Sequence, residues 1–275
     1  MIGTALAASE GSPFRGDLFA LTLFGTLSAH SAAAFANEYF DYVLGADRHV
    51  SHTNPFAGGS RVILVRDGLS PRSLLWAAAL FSGFGTVVGL ILTALRGVPV
   101  LAFGLLGYLL LFQYTVPPLK LAYRGWGELA VGVSFGPLVV VGTDYVQSGI
   151  LSSHALALSI PLGLLVALVL LFNEFPDYDG DVAVNKRNLV VRLGRNRAFY
   201  LCSALVFALG LSLLLLVLAM PGIGFVPLGV LPPCVAALFI LSRSRDSPDA
   251  LAPANALMLI NVAVLGILLS WSLIG

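Results

Sequence analysis

The chain has 275 residues, 58% hydrophobic and 11% charged, with 15 Lys and Arg against 14 Asp and Glu. Its mean hydropathy of +0.93 excludes an ordinary soluble domain, and Cys202 and Cys234, lying in apolar runs, read as buried packing thiols rather than a disulfide framework. The net charge of +1 carries little information, and no nucleic-acid partner is expected. Only helices or closed barrels satisfy backbone polar groups in lipid. Apolar runs of roughly 20 residues favour helices over the ten-residue alternation of a barrel. The expected fold is therefore all-α, a polytopic helix bundle in the lipid bilayer, forming a single domain over 1–275.

In chain order, Met1–Ala8 is too short to span a bilayer and lacks the basic start and apolar core of a signal peptide. Eight spans follow, at about 17–44, 71–95, 98–116, 127–146, 154–175, 197–220, 223–242 and 252–273. All basic residues except Arg15 and Arg96 fall in alternate connections: Arg48, Arg61, Arg66 and Arg72 after the first span, Lys120 and Arg124 after the third, Lys186, Arg187, Arg192, Arg195 and Arg197 after the fifth, Arg243 and Arg245 after the seventh. The positive-inside rule places that side in the cytoplasm. The two longest connections, 45–70 and 176–196, lie on it, and long connections in compact proteins are commonly functional.

Two segments at an offset of 136 residues resemble each other, Asn37-Glu38-Tyr39-Phe40-Asp41-Tyr42 and Asn173-Glu174-Phe175-Pro176-Asp177-Tyr178. Each puts Asn and Asp four residues apart, on one helix face, at the cytoplasmic end of a span. Carboxylates at such places are costly and mark sites. Gly45 can end the first helix, so that Asp47 folds back toward Asp41. Asp181 extends the second face, Asp179 falls off it, and Pro176 is expected to kink or end the helix.

Carboxylates converging from both motifs repel without a cation. Mg²⁺ takes one or two carboxylates plus substrate phosphates, so the candidate metal ligands are Asn37, Asp41, Asp47, Asn173, Asp177 and Asp181. His30, His49, His52 and His154 show no zinc spacing. Arg61, Lys186 and Arg187 are candidates for phosphate contact. The segment Tyr114–Glu128, with two prolines, adds Lys120 or Arg124 near phosphate and a Tyr to shield a cation. The competing reading of these basic residues is contact with anionic lipid headgroups.

These motifs resemble those of the UbiA superfamily of intramembrane prenyltransferases, over nearly the whole chain. Asn37-x-x-x-Asp41 with Gly45-Ala46-Asp47 looks like its first aspartate-rich motif. Asn173-x-x-x-Asp177-x-x-x-Asp181, with Asn185-Lys186-Arg187-Asn188 through Gly194, looks like its second. The spacing of Asp47, Leu121–Gly125, and Gly136-Pro137-Leu138 through Gly149 resemble the branch that prenylates 1,4-dihydroxy-2-naphthoate for menaquinone. The resemblance implies nine helices around a cavity open sideways to lipid, and Mg²⁺-dependent transfer from a prenyl diphosphate to an aromatic acceptor. Asn37, Asp41, Asn173, Asp177 and Asp181 would hold the metal and diphosphate, with Asp41, Asp177 and Asp181 carrying the catalysis and Lys120 and Lys186 touching diphosphate. The implied location is the cell inner membrane, with the active site facing the cytoplasm. Position 38 is Glu where the family commonly has Asp, Asn185 stands where Gly is usual, and Met1–Ser9 looks like the tail of a longer first helix. Competing acceptors are 4-hydroxybenzoate, homogentisate, a tetrapyrrole or a glycerol phosphate ether. The competing functions are a membrane carrier and an inactive homologue.

Overall fold

The computed structural model describes residues 1–46, 53–56 and 70–275. Among these, all regular secondary structure is helical. Helix α1 is Ile2–Ser9, α2 Gly16–Leu44, α3 Pro71–Arg96 and α4 Val98–Thr115. Helix α5 runs from Gly127 to Ser148 through a π-helical turn at Ser134–Leu138. Helix α6 is Ser153–Ala183, α7 Leu189–Ala219, α8 Leu231–Ser244 and α9 Ala252–Ile274. All but α1 are long and apolar enough to cross a membrane, counting the 3₁₀ turn Val226–Val230 that leads into α8. Among the described residues the architecture is therefore eight spans plus a short N-terminal helix, and the protein is an integral multi-pass membrane protein.

Two expected boundaries are wrong, both around the second motif. Helix α6 does not end before Pro176 but continues to Ala183, so Asp177 and Asp181 are helical residues rather than loop residues. Pro176 removes one backbone donor, yet its ring is buried in the packed end of α6, where tertiary contacts outweigh that loss. Helix α7 begins at Leu189 rather than near 197, broken at Gly194 (φ 74°). The connection 176–196 thus shrinks to 184–188, which fixes the second motif firmly.

Helix α6 is the centre of the bundle. Leu158, Leu165, Leu168, Leu171, Phe172 and Phe175 are fully buried along it, and it packs against α5, α7 and α9. Against α5 the contact is backbone to backbone. A Cβ on Gly163 would lie 2.7 Å from the Gly132 carbonyl oxygen, and one on Gly136 would lie 2.7 Å from that of Ser159. Small residues allow such approach where no hydrophobic effect drives helices together in lipid. Helix α1 does not span; it wedges Ile2 and Leu6 into the core beside α5. At the end of α5 away from the site, the Arg96 guanidinium donates to the carbonyls of Val146 (2.6 Å) and Gln147 (2.5 Å). Those carbonyls have no intrahelical partner, so Arg96 serves as a cap.

The close approach of α5 and α6 sets an expected outcome. Gly163→Val forces the two backbones apart and costs about 1–3 kcal/mol or more, read as a lower unfolding temperature in detergent. Gly89, where nothing lies within 4 Å of an added Cβ, accepts Ala with no loss of unfolding temperature.

Candidate active site

Helix α2 carries the first motif in its last two turns and stops at Gly45, whose left-handed conformation (φ 85°) suits a residue without a Cβ. Asn37 Nδ2 donates to Asp41 Oδ2 (3.2 Å). The hydroxyl of Tyr123, from the turn Leu121–Arg124, donates to Asp41 Oδ1 (2.9 Å). Asn37 Oδ1 is buried with no hydrogen-bond partner among the described residues.

The second motif approaches from α6. Asp181 Oδ2 accepts from Asn188 Nδ2 (2.7 Å). Asn188 Oδ1 in turn caps α7 by accepting from the Val191 backbone N–H (2.8 Å). Glu128 Oε1 takes a second free donor of that helix end, the Leu189 N–H (2.8 Å). The short connection then returns Lys186 to the site. Its Nζ lies 3.6 Å from Asp181 Oδ1 and 3.8 Å from Asp41 Oδ2, so one ammonium sits between the two motifs. Burial pulls the Lys186 pKa down, but the charges of Asp41 and Asp181 outweigh it and hold the group well above the ordinary lysine value. Asn185 has φ 56°, which explains an Asn where glycine would be usual, since Asn tolerates the left-handed region better than other side chains do.

Tyr123 joins these groups. Lys186 Nζ lies 5.6 Å and Lys120 Nζ 5.7 Å from its ring centroid, within the range of cation–π attraction. Burial, then the neighbouring Asp41 charge, raises the Tyr123 pKa, so it stays a neutral hydroxyl donor.

The remaining expectations divide. Asp177 is half-buried on the face shared with Asp181, while Asp179 points away and pairs with Arg195 (2.9 Å). Asn173 Oδ1 accepts from Asn255 Nδ2 of α9 (2.9 Å). Arg124 is turned away, its guanidinium donating to the Pro118 carbonyl (3.2 Å). Arg187 is exposed, and its backbone N–H meets the Tyr123 carbonyl (3.2 Å). Asp47 and Arg61 lie outside the described residues. Among the described residues no three His, Cys, Asp or Glu side chains are placed to hold a metal by themselves. Glu128, Asn188 and Asn255 were missed in the sequence, where only an Asn before an apolar run, as at Asn188, carried a signal.

A cavity of about 780 Å³ opens beside this cluster, between α2, α3, α4 and α5. Asn37 and Tyr114 line its end at the site, and Thr22, Thr93 and Val146 line the far end. Apolar side chains such as Leu101, Phe103, Leu111 and Leu138 line most of its length. The chamber is therefore apolar along its length and polar only at the end next to the cluster.

Fold and site together define a polytopic membrane protein with a lysine-bridged carboxylate cluster at the mouth of an apolar chamber. The chain matches the UbiA prenyltransferase family over residues 1–264 and belongs to it. It is 34% identical over 187 residues to a 1,4-dihydroxy-2-naphthoate octaprenyltransferase of Mycobacterium tuberculosis, covering 68% of this chain and 62% of that protein. It is 32% identical to the protein of that name from Mycobacterium leprae, over 78% of this chain and 70% of the relative. It is 28% identical to a 2-carboxy-1,4-naphthoquinone phytyltransferase of Synechocystis, over 70% of this chain and 60% of the relative. The match thus spans less than two thirds of the M. tuberculosis and Synechocystis proteins.

The bridging ammonium gives a direct test. Lys186→Met leaves Asp41 and Asp181 facing each other without compensation, a loss of about 3–5 kcal/mol for a broken buried pair. The unfolding temperature in detergent is expected to fall and to recover in part on adding millimolar Mg²⁺. An unchanged unfolding temperature counts against the bridge.

Proposed function

We propose that this protein transfers a prenyl group from a prenyl diphosphate to 1,4-dihydroxy-2-naphthoate, in menaquinone synthesis, with Mg²⁺ as cofactor. The observation that carries this reading is Lys186 held between Asp41 and Asp181 where the apolar chamber ends. The naphthoate acceptor rests on the names of the relatives.

The residues fit a hard cation. The donors are carboxylate and amide oxygens, and Asn37 Oδ1 is buried and unpartnered among the described residues. Asn37, Asp41, Asp177 and Asp181 would hold Mg²⁺, which supplies charge neutralisation of the departing diphosphate. The incomplete protein donor set leaves ligand positions for phosphate oxygens.

The chain's own groups do the rest. Lys186 and Lys120 face the diphosphate as it takes up charge on leaving, which is electrostatic stabilisation placed in advance. Tyr123 holds Asp41 in place and turns its ring face to the cationic side of the site. The chamber holds the isoprenoid and keeps water from the allylic cation until the electron-rich ring captures it. The charge bias of the basic connections supports a site on the cytoplasmic face of the cell membrane, in a chain acting as one domain.

Membranes containing the protein, supplied with geranylgeranyl diphosphate, Mg²⁺ and a panel of aromatic acceptors, are expected to form prenylated naphthoate. Asp41→Asn and Asp177→Asn are each expected to lower the rate by about 10²-fold or more. Product with 4-hydroxybenzoate alone overturns the acceptor, and product from neither acceptor, with an ion carried into sealed vesicles, overturns the enzyme.

A further inference from the structure

The two motifs match in sequence, but their asparagines are oriented oppositely. Asn37 uses its Nδ2 on Asp41 and leaves its oxygen unpartnered. Asn173 uses its oxygen on Asn255 and leaves its Nδ2 without a hydrogen bond among the described residues.

That polarity is set at a distance. Segment 53–56 lies on the α8–α9 connection, where the Thr53 backbone N–H and hydroxyl both donate to Asp249 Oδ1 (2.7 and 3.0 Å). Next to it Asn54, 1% exposed, meets two backbone groups of fixed character. Its Oδ1 accepts from the Phe56 N–H (3.0 Å), and its Nδ2 donates to the Pro248 carbonyl (3.2 Å). A flipped Asn54 would set amine against N–H and oxygen against carbonyl, so only one orientation is satisfied. The same Nδ2 donates to Asn255 Oδ1 (3.0 Å), which leaves Asn255, also 1% exposed, to donate through its own Nδ2 to Asn173 Oδ1. Three amides in series thus carry the polarity of two backbone groups into the second motif.

We infer that Asn54 and Asn255 are positioning residues that make Asn173 a hydrogen-bond donor to a diphosphate oxygen, while Asn37 is the amide that offers oxygen to the metal. This rests on the reading that the site takes a metal-bound diphosphate, and it divides between the two asparagines what their matching sequence context assigns to both. Asn173 stands one helical turn from Asp177 and two from Asp181, so its N–H groups and the carboxylates address the same ligand with opposite character. The relay also ties the chain following the first motif to the second motif through α9, so the two halves of the site share one hydrogen-bonded frame.

The test uses the full-length protein in detergent and inorganic pyrophosphate with Mg²⁺, read by calorimetry, with Mn²⁺ binding without pyrophosphate read separately by electron paramagnetic resonance. Asn255→Asp keeps the shape but can only accept as a carboxylate, so Asn173 turns its amine to position 255 and its oxygen to the site. Asn54→Asp, further away, reverses the same chain by drawing the Asn255 amine toward itself. Both variants are expected to weaken pyrophosphate about tenfold or more, the loss of one charge-assisted hydrogen bond, with Mn²⁺ affinity unchanged or tighter. The double variant is expected to be no weaker than the stronger single one. Asn255→Gln, tested beside an unfolding measurement for each protein, is expected to retain part of the affinity. Unchanged pyrophosphate affinity in a folded Asn255→Asp, or weakened Mn²⁺ binding in either Asp variant, overturns the assignment. Wild-type protein that takes up no pyrophosphate overturns the underlying reading, and the relay's role with it.

Discussion

One ammonium between two carboxylates is the interaction on which the architecture turns. Two acidic helix ends meet at the rim of a membrane domain, where opposed negative charges are poorly screened. Lys186 lies between them, 3.6 Å from one and 3.8 Å from the other. The surrounding features serve that placement. The connection from α6 to α7 is short, Asn185 takes the left-handed turn that reverses it, and Asn188 and Glu128 cap α7 so that the helix starts where the turn requires. Tyr123 reaches Asp41 from a third element and braces the same lysine with its ring.

The rest of the bundle separates two environments. Close glycine contacts between α5 and α6 hold the polar cluster and the apolar chamber in fixed relation. Surfaces of opposite character thus adjoin within one molecule, as the proposed prenyl diphosphate, with its charged head and apolar tail, would require. Membrane proteins place ionisable groups only where something compensates them, and here the compensation is internal.

The spans were legible because roughly 20 apolar residues in series have one solution in lipid. The motifs were legible because Asn37 and Asp41, like Asn173 and Asp177, share a helix face by spacing alone. The end of α6 was not. Pro176 argues locally for a stop, and only the burial around it shows why the helix continues. The lysine could be named as a phosphate contact but not as a bridge, because its partners lie 145 and 5 residues away. Asn54 and Asn255 were invisible for the same reason. An asparagine in an apolar helix has no local signature of its partner, and this one joins residues 201 and 82 positions distant. Arg124 and Arg187 carried the charge expected of phosphate contacts, but only the fold shows that Arg124 turns to the Pro118 carbonyl and that Arg187 is exposed.

In the proposed function both motifs address one metal-bound diphosphate. Anomalous diffraction from crystals grown with Mn²⁺ and pyrophosphate tests it most directly. Manganese is expected at about 2.1 Å from oxygens of both the Asn37–Asp41 and Asp177–Asp181 groups, with pyrophosphate beside Lys186. Manganese confined to one motif, or pyrophosphate bound away from both, would contradict it.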